Sequence, residues 1–141
     1  MQRNGSAVWE GGLKDGKGKV STDSGVLSDA QYSFGTRFEN GRGTNPEELL
    51  AAAHAACFSM ALSAELGKAQ MTPKAIRTTA KVSLEKSGQG FGIPAVHLDV
   101  TVELPGADQA AFDAAAASAK TNCPVSKLFN ATITMDAKLA S

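Results

Sequence analysis

Two cysteines, Cys57 and Cys123, are the side chains of this sequence best suited to covalent chemistry. Cys57 lies in the run Ala53-His54-Ala55-Ala56-Cys57-Phe58-Ser59-Met60. A cysteine in such surroundings packs as a small buried hydrophobe or acts as a redox thiol, and composition alone favours the first reading. His54 stands three residues before Cys57. On a helix that spacing makes the two side chains neighbours, although a lone imidazole on an Ala-rich helix is more often structural. Cys123 precedes Pro124, a residue suited to the first position of a helix. It would then sit at a helix N-cap, where backbone N–H groups favour a thiolate, so local electrostatics make Cys123 the more acidic thiol. Cys57, Cys123, His54 and His97 also carry the right donor atoms for zinc. No CxxC or HxxxH pairing supports a closed tetrahedral site, so no metal is expected.

The elements that position these residues can be read from pattern. Asn45 is a helix cap, Pro46 suits the first helical position, and Glu47 and Glu48 suit the positive end of the dipole. The helix is expected to run to about Leu66 and stop at Gly67. It is apolar on nearly every side between Leu49 and Leu62, which places it inside the protein. Residues 6–38 are rich in Gly, Ser and Asp with short apolar spots, Tyr32-Phe34-Phe38 among them. They read as a meander of short strands, with Arg37 as an exposed strand charge. Ile76 to Leu84 and Val96 to Leu104 alternate cleanly and flank a turn at Gly88-Gln89-Gly90, so they form a hairpin. Ala107 to Lys120 reads as a helix, Cys123-Pro124 opens a further helical piece to about Phe129, and Ala131 to Leu139 alternates as a last strand. The result is a single α+β domain over residues 1–141, with antiparallel sheet packed on a long central helix.

Composition narrows the function. The chain has 141 residues, 43% hydrophobic and 20% charged, as soluble globular proteins do. Lys+Arg and Asp+Glu both number 14, with no basic block, so a nucleic-acid partner is not expected. The Ala-rich helix contains His54, Ser59, Ser63 and Glu65 and suits a core better than a membrane. Residues 1–10 hold no apolar h-region, so a reducing, cytoplasmic setting is expected, where a permanent disulfide is rare. No GxGxxG or P-loop spacing appears, so no cofactor is indicated.

Several segments together resemble the OsmC/Ohr family: Trp9-Glu10-Gly11, Thr36-Arg37-Phe38-Glu39, Gly43-Thr44-Asn45-Pro46-Glu47-Glu48-Leu49, Ala52 to Leu62 around Cys57, and Asn122-Cys123-Pro124-Val125-Ser126. The resemblance covers essentially the whole chain. It implies a thiol-dependent peroxidase that reduces organic hydroperoxides in oxidative or osmotic stress defence. By the same resemblance Cys57 attacks the peroxide, Cys123 resolves, and Arg37 and Glu47 assist, with Arg42 and Arg3 as other places for the arginine. An external dithiol, of lipoyl type for example, would reduce the resulting disulfide. Phe34, Phe38, Phe58 and Met60 are expected to wall an apolar site. The resemblance and the local reading disagree over which thiol attacks. A competing reading is an inert fold relative that binds a small apolar ligand.

Glu47 and Cys57 are ten residues apart on one helix. They should lie ~15 Å apart along its axis and ~80° apart around it. A glutamate does not span that gap, so the site is expected to be shared between two chains of an intertwined homodimer, Glu47 and Arg37 of one serving Cys57 of the other.

Overall fold

The structure, a computed structural model, describes residues 1–140 and divides into two compact units, Met1–Leu49 and the chain from Leu50 onward. In the first unit, β1 (Gly5–Glu10), β2 (Lys17–Thr22) and β3 (Ala30–Ser33) form an antiparallel meander. Register places Trp9, Gly18 and Tyr32 side by side across the three strands. A Cβ on Gly18 would meet the Tyr32 ring at 2.4 Å, so only glycine lets that ring lie across β2. The Tyr32 ring then leans to within 5.5 Å of Trp9.

The strand expected through Tyr32-Phe34-Phe38 ends at Ser33 and gives way to α1 (Phe34–Phe38). The cause is a capping box that the apolar alternation hides. The Ser33 hydroxyl accepts from the Thr36 backbone N–H, and the Ser33 backbone N–H donates to Thr36 Oγ1. Arg37 is therefore a helical residue, not a strand charge. Asn45 caps α2 (Pro46–Lys68) as expected, accepting from Glu48 N–H at 2.8 Å. Its Nδ2 donates to the Thr36 carbonyl, which ties the start of α2 to α1.

At its other end α2 runs through Gly67 to Lys68. Gln70, with φ 59, takes the left-handed position expected of Gly67, and Met71 N–H returns to the Leu66 carbonyl. The second unit places β4 (Ala75–Ser87), β5 (Gly90–Glu103) and β6 (Thr132–Ala140) in the order β4-β5-β6. The hairpin β4–β5 is antiparallel as expected, with Val96, Leu98, Val100 and Val102 turned inward. β6 joins β5 in parallel, not antiparallel. Parallel neighbours need a crossover. Here α3 (Gln109–Asn122) and α4 (Pro124–Leu128) lie between β5 and β6 in the chain.

One core cluster joins Phe58, Leu62 and Leu66 of α2 with Leu98, Val100 and Val102 of β5 and with Phe112, Ala116, Ala119 and Cys123. Fully burying each of these α2 side chains stabilises the fold by roughly 1.5–3 kcal/mol. α2 is not buried on every side, contrary to expectation. Ala52, Ala53, Ala56, Met60 and Ala64 form an exposed stripe, and Met60 is 76% exposed. The helix has the length and apolarity of a membrane span, but the opposite stripe is built into the core.

The α3 cap went unread in the sequence. The Asp108 carboxylate accepts from Ala111 N–H at 2.8 Å. Asp108→Ala should lower unfolding free energy by about 1 kcal/mol, measured by urea titration, while Asp108→Asn keeps most of the stability.

Candidate active site

The two cysteines come from elements far apart in sequence and meet. Cys57 projects from the middle of α2, next to Phe58 in the core and one turn after His54. Cys123 closes α3 as its C-cap and opens α4 as its N-cap. Cys123 Sγ donates to Cys57 Sγ at 3.1 Å, and both cysteines are free thiols. Cys57 is half-buried; Cys123 is fully buried.

The electrostatics differ from the local expectation. Cys123 occupies the N-cap of α4, yet its side chain makes no capping hydrogen bond. The backbone N–H of Val125, in the first turn of α4, bonds Cys57 instead. Burial pushes the Cys57 thiol above its ordinary pKa, the Cys123 contact adds to the rise, and the Val125 N–H acts against both. Left to these groups, Cys57 is a thiol rather than a thiolate at neutral pH, and a nearby cation is what would reverse that.

His54 does not pair with Cys57. It is fully buried, its Nε2 lies 2.8 Å from Ser126 Oγ, and its ring meets Phe129 edge-on at 5.2 Å. Burial lowers its pKa and keeps it neutral. His97 lies apart from both thiols on the outward side of β5. It groups with Asp99 and Asp136, their ligand-type atoms within 4.8 Å of one another, while Lys81 pairs with Asp99.

In the first unit, α1 and the first turn of α2 bring Arg37 and Glu47 together. Arg37 Nη2 donates to Glu47 Oε1 at 2.7 Å, and Nε lies 3.1 and 3.2 Å from the two carboxylate oxygens. This bidentate pair leaves the Nη1 donors unused by Glu47. The Arg37 side chain stays 37% exposed and Glu47 11%. The guanidinium also lies over the Phe38 ring, 5.4 Å from its centroid. Beside it is an open cavity of about 290 Å³, walled by Trp9, Leu13, Tyr32, Phe34 and Phe38.

Of the four apolar walls expected from sequence, Phe34 and Phe38 line this cavity. Phe58 is in the core instead, because it falls on the inward stripe of α2, and Met60 points outward from the opposite stripe. Trp9, Tyr32 and Ser126 were missed. Ser126 had a signal, since it repeats from Cys123 the spacing of three that separates His54 from Cys57. Arg42 and Arg3 are both exposed, and Arg3 bonds only its neighbour's carbonyl among the hydrogen bonds described for it.

Comparison with known proteins gives a consistent set. A family described as OsmC-like protein matches residues 39–138. Peroxiredoxin OsmC of Escherichia coli (strain K12) is 54% identical over 141 residues, which is 100% of this chain and 99% of that protein. The organic hydroperoxide resistance protein of Xanthomonas axonopodis pv. citri (strain 306) is 32% identical over 101 residues, covering 71% of this chain and 69% of its own length. The crystal structure of the organic hydroperoxide resistance protein OhrB of Bacillus subtilis superposes with a TM-score of 0.69 at 25% identity, covering 97% of this chain and 98% of that one.

The sulfur contact is directly testable without any peroxide. A stoichiometric dose of the thiol oxidant diamide should consume both thiols and yield a Cys57–Cys123 peptide pair from single chains on non-reducing mapping. Bonds found only between chains would contradict the 3.1 Å contact.

Proposed function

The chain belongs to the OsmC family, and on that footing we propose that it is a thiol-dependent peroxidase that reduces organic hydroperoxides through Cys57 and Cys123. The observation that carries this reading is the contact of two free thiols at 3.1 Å, one of them half-buried. Cys57 is the attacking residue in this scheme, because a peroxide can reach a half-buried sulfur and not the fully buried Cys123. The Cys57 thiolate takes the outer oxygen of ROOH, and the alkoxide leaves as ROH after taking up a proton. Cys57 is then a sulfenic acid. Cys123 condenses with it, forming the S–S bond and releasing water. An external dithiol, for which a lipoyl group is one candidate, reduces the disulfide by thiol exchange. Such a cycle belongs in a reducing compartment, and we place it in the cytoplasm, as part of oxidative or osmotic stress defence.

Arg37 and Glu47 complete the site in this proposal. A thiol that burial holds protonated needs a cation to ionise, and Arg37 is a permanent one oriented by a carboxylate. Its free edge would hold the O–O group, while the aromatic cavity beside it takes the organic tail. An inert binding protein would have no use for two thiols in contact, which weighs against the competing reading.

The functional unit in this reading is a homodimer with shared sites. Two observations support it. The outward stripe of α2 is apolar and uncovered. Among the described residues, the first unit buries no large apolar side chain, and it exposes Val8, Leu13 and Val26. A three-stranded sheet without a covered face is not stable alone. Two α2 helices packed antiparallel about a two-fold axis would cover these surfaces and bring Arg37 and Glu47 of one chain to the partner's Cys57.

Turnover should be measured with a bulky alkyl or aryl hydroperoxide and with hydrogen peroxide, in the presence of a dithiol. kcat/KM should be at least about tenfold higher for the organic substrate, the scale expected from burying a few methylenes, and Cys57→Ser should abolish turnover. Equal values would exclude the aromatic cavity as the substrate site, and an active Cys57→Ser would end the assignment of Cys57.

Site sharing has its own test. Cys57→Ser and Glu47→Ala, each inactive or nearly so, are mixed, dissociated and reassociated. Heterodimers should regain activity through one intact site. No recovery, with heterodimers shown to form, would mean that each site is built within one chain.

A further inference from the structure

Cys123 is held by a turn with little strength of its own. α4 is five residues long, too short to persist as an isolated helix. Ser126 is its buried residue, Cys123 is buried at its N-cap, and Pro124, Lys127 and Leu128 are exposed. Two residues of α2, one turn apart, meet this segment. Cys57 accepts the Cys123 S–H, and His54 Nε2 is hydrogen-bonded to Ser126 Oγ while its ring meets Phe129 edge-on. The spacing is the same on both sides, His54 to Cys57 and Cys123 to Ser126, so the turn is pinned to α2 at two matched points.

Only one of these pins survives the chemistry. When Cys57 becomes a sulfenic acid, its sulfur carries an oxygen and the thiol–thiol contact is lost. Neither His54 nor Ser126 changes covalently at any step. The sulfenic acid then has two fates. It can react as Cys57–SOH + HS–Cys123 → Cys57–S–S–Cys123 + H2O. Alternatively a second substrate molecule oxidises it, Cys57–SOH + ROOH → Cys57–SO2H + ROH, and the enzyme is lost. The first fate depends on how often Cys123 is in place; the second depends on peroxide concentration.

We propose that the His54–Ser126 hydrogen bond is a positioning device that keeps Cys123 poised to resolve Cys57 while Cys57 carries an oxygen, and so protects Cys57 from over-oxidation. This rests on the peroxidase reading above. The imidazole is well suited to the task. Its Nδ1 is buried without a hydrogen-bond partner. A stranded N–H is rarer in proteins than an under-used acceptor, so the proton belongs on Nε2, which donates to Ser126 Oγ at 2.8 Å. The neutral ring presents one tautomer, one bond and one edge contact to Phe129, which fixes its orientation.

The test is single-turnover kinetics with an organic hydroperoxide, following Cys57 oxidation and disulfide formation as separate phases. Sulfinic acid at Cys57 is quantified by mass spectrometry at high peroxide. Ser126→Ala, a small change with little risk to folding, should leave the first phase within about twofold and slow the second about tenfold, as expected for stranding one buried polar group. The sulfinic fraction should rise in step. Ser126→Thr, which keeps the hydroxyl, should restore the second phase. His54→Phe combined with Ser126→Ala should be no slower than Ser126→Ala alone, since both remove the same bond. Equal second phases in Ser126→Ala and the wild type would overturn the proposal. So would equal slowing of both phases, which marks general loosening. A wild type that forms no disulfide with hydroperoxide would instead remove the peroxidase reading, and the proposal with it.

Discussion

Two sulfur atoms separated by 66 residues of chain come to rest 3.1 Å apart, and much of the second unit can be understood as the means of keeping them there. Cys57 is placed by the inward stripe of α2, whose Phe58, Leu62 and Leu66 anchor the helix in the core. Cys123 is placed by the join of α3 and α4, which exists because β6 pairs with β5 in parallel and the chain must cross over to reach it. A simple meander would have left no crossover to carry the second thiol. In the first unit a guanidinium is fixed without being buried, held by the Glu47 carboxylate from one edge.

Charge placement follows from the same geometry. The end of a short helix is a weak electrostatic source, and here its amide is aimed at Cys57 rather than at the cysteine that caps it. Burial outweighs that one bond, so the second unit alone leaves its half-buried thiol reluctant to ionise. In the shared-site dimer proposed above, a thiol activated only by a partner's arginine would be quiescent in an unassembled chain.

Much of the fold was legible in the sequence because local and tertiary preferences agree there. The alternation matches burial from Ile76 to Val82 in β4 and from Val96 to Val102 in β5, failing where the register shifts between Ser83 and Glu85, and Asn45-Pro46-Glu47 marks a helix start that the structure keeps. Where the two disagree, tertiary contacts or side-chain caps decided. Tyr32-Phe34-Phe38 alternates like a strand, but Ser33 and Thr36 close a capping box that turns the chain. Gly67 looks like a stop, but the left-handed cap falls on Gln70. An all-apolar α2 reads as buried all round, whereas the structure leaves its Ala52-Ala56-Met60 stripe exposed. The cysteines stood out by type. The Arg37–Glu47 pair was suggested by family resemblance alone, and the partnership of His54 with Ser126, 72 residues apart, had no local signature strong enough to read.

The length of chain between the two sulfurs has a mechanical consequence. Joining them closes a loop of 66 residues, which removes enough freedom from the unfolded chain to favour the folded state by about 4 kcal/mol. The oxidised chain is then the harder of the two forms to unfold, and the reduced chain the more readily opened. A reductant that must reach the fully buried Cys123 sulfur, or its partner in the bond, therefore meets the protein in the form least given to opening, so access to the disulfide becomes a quantity this architecture controls.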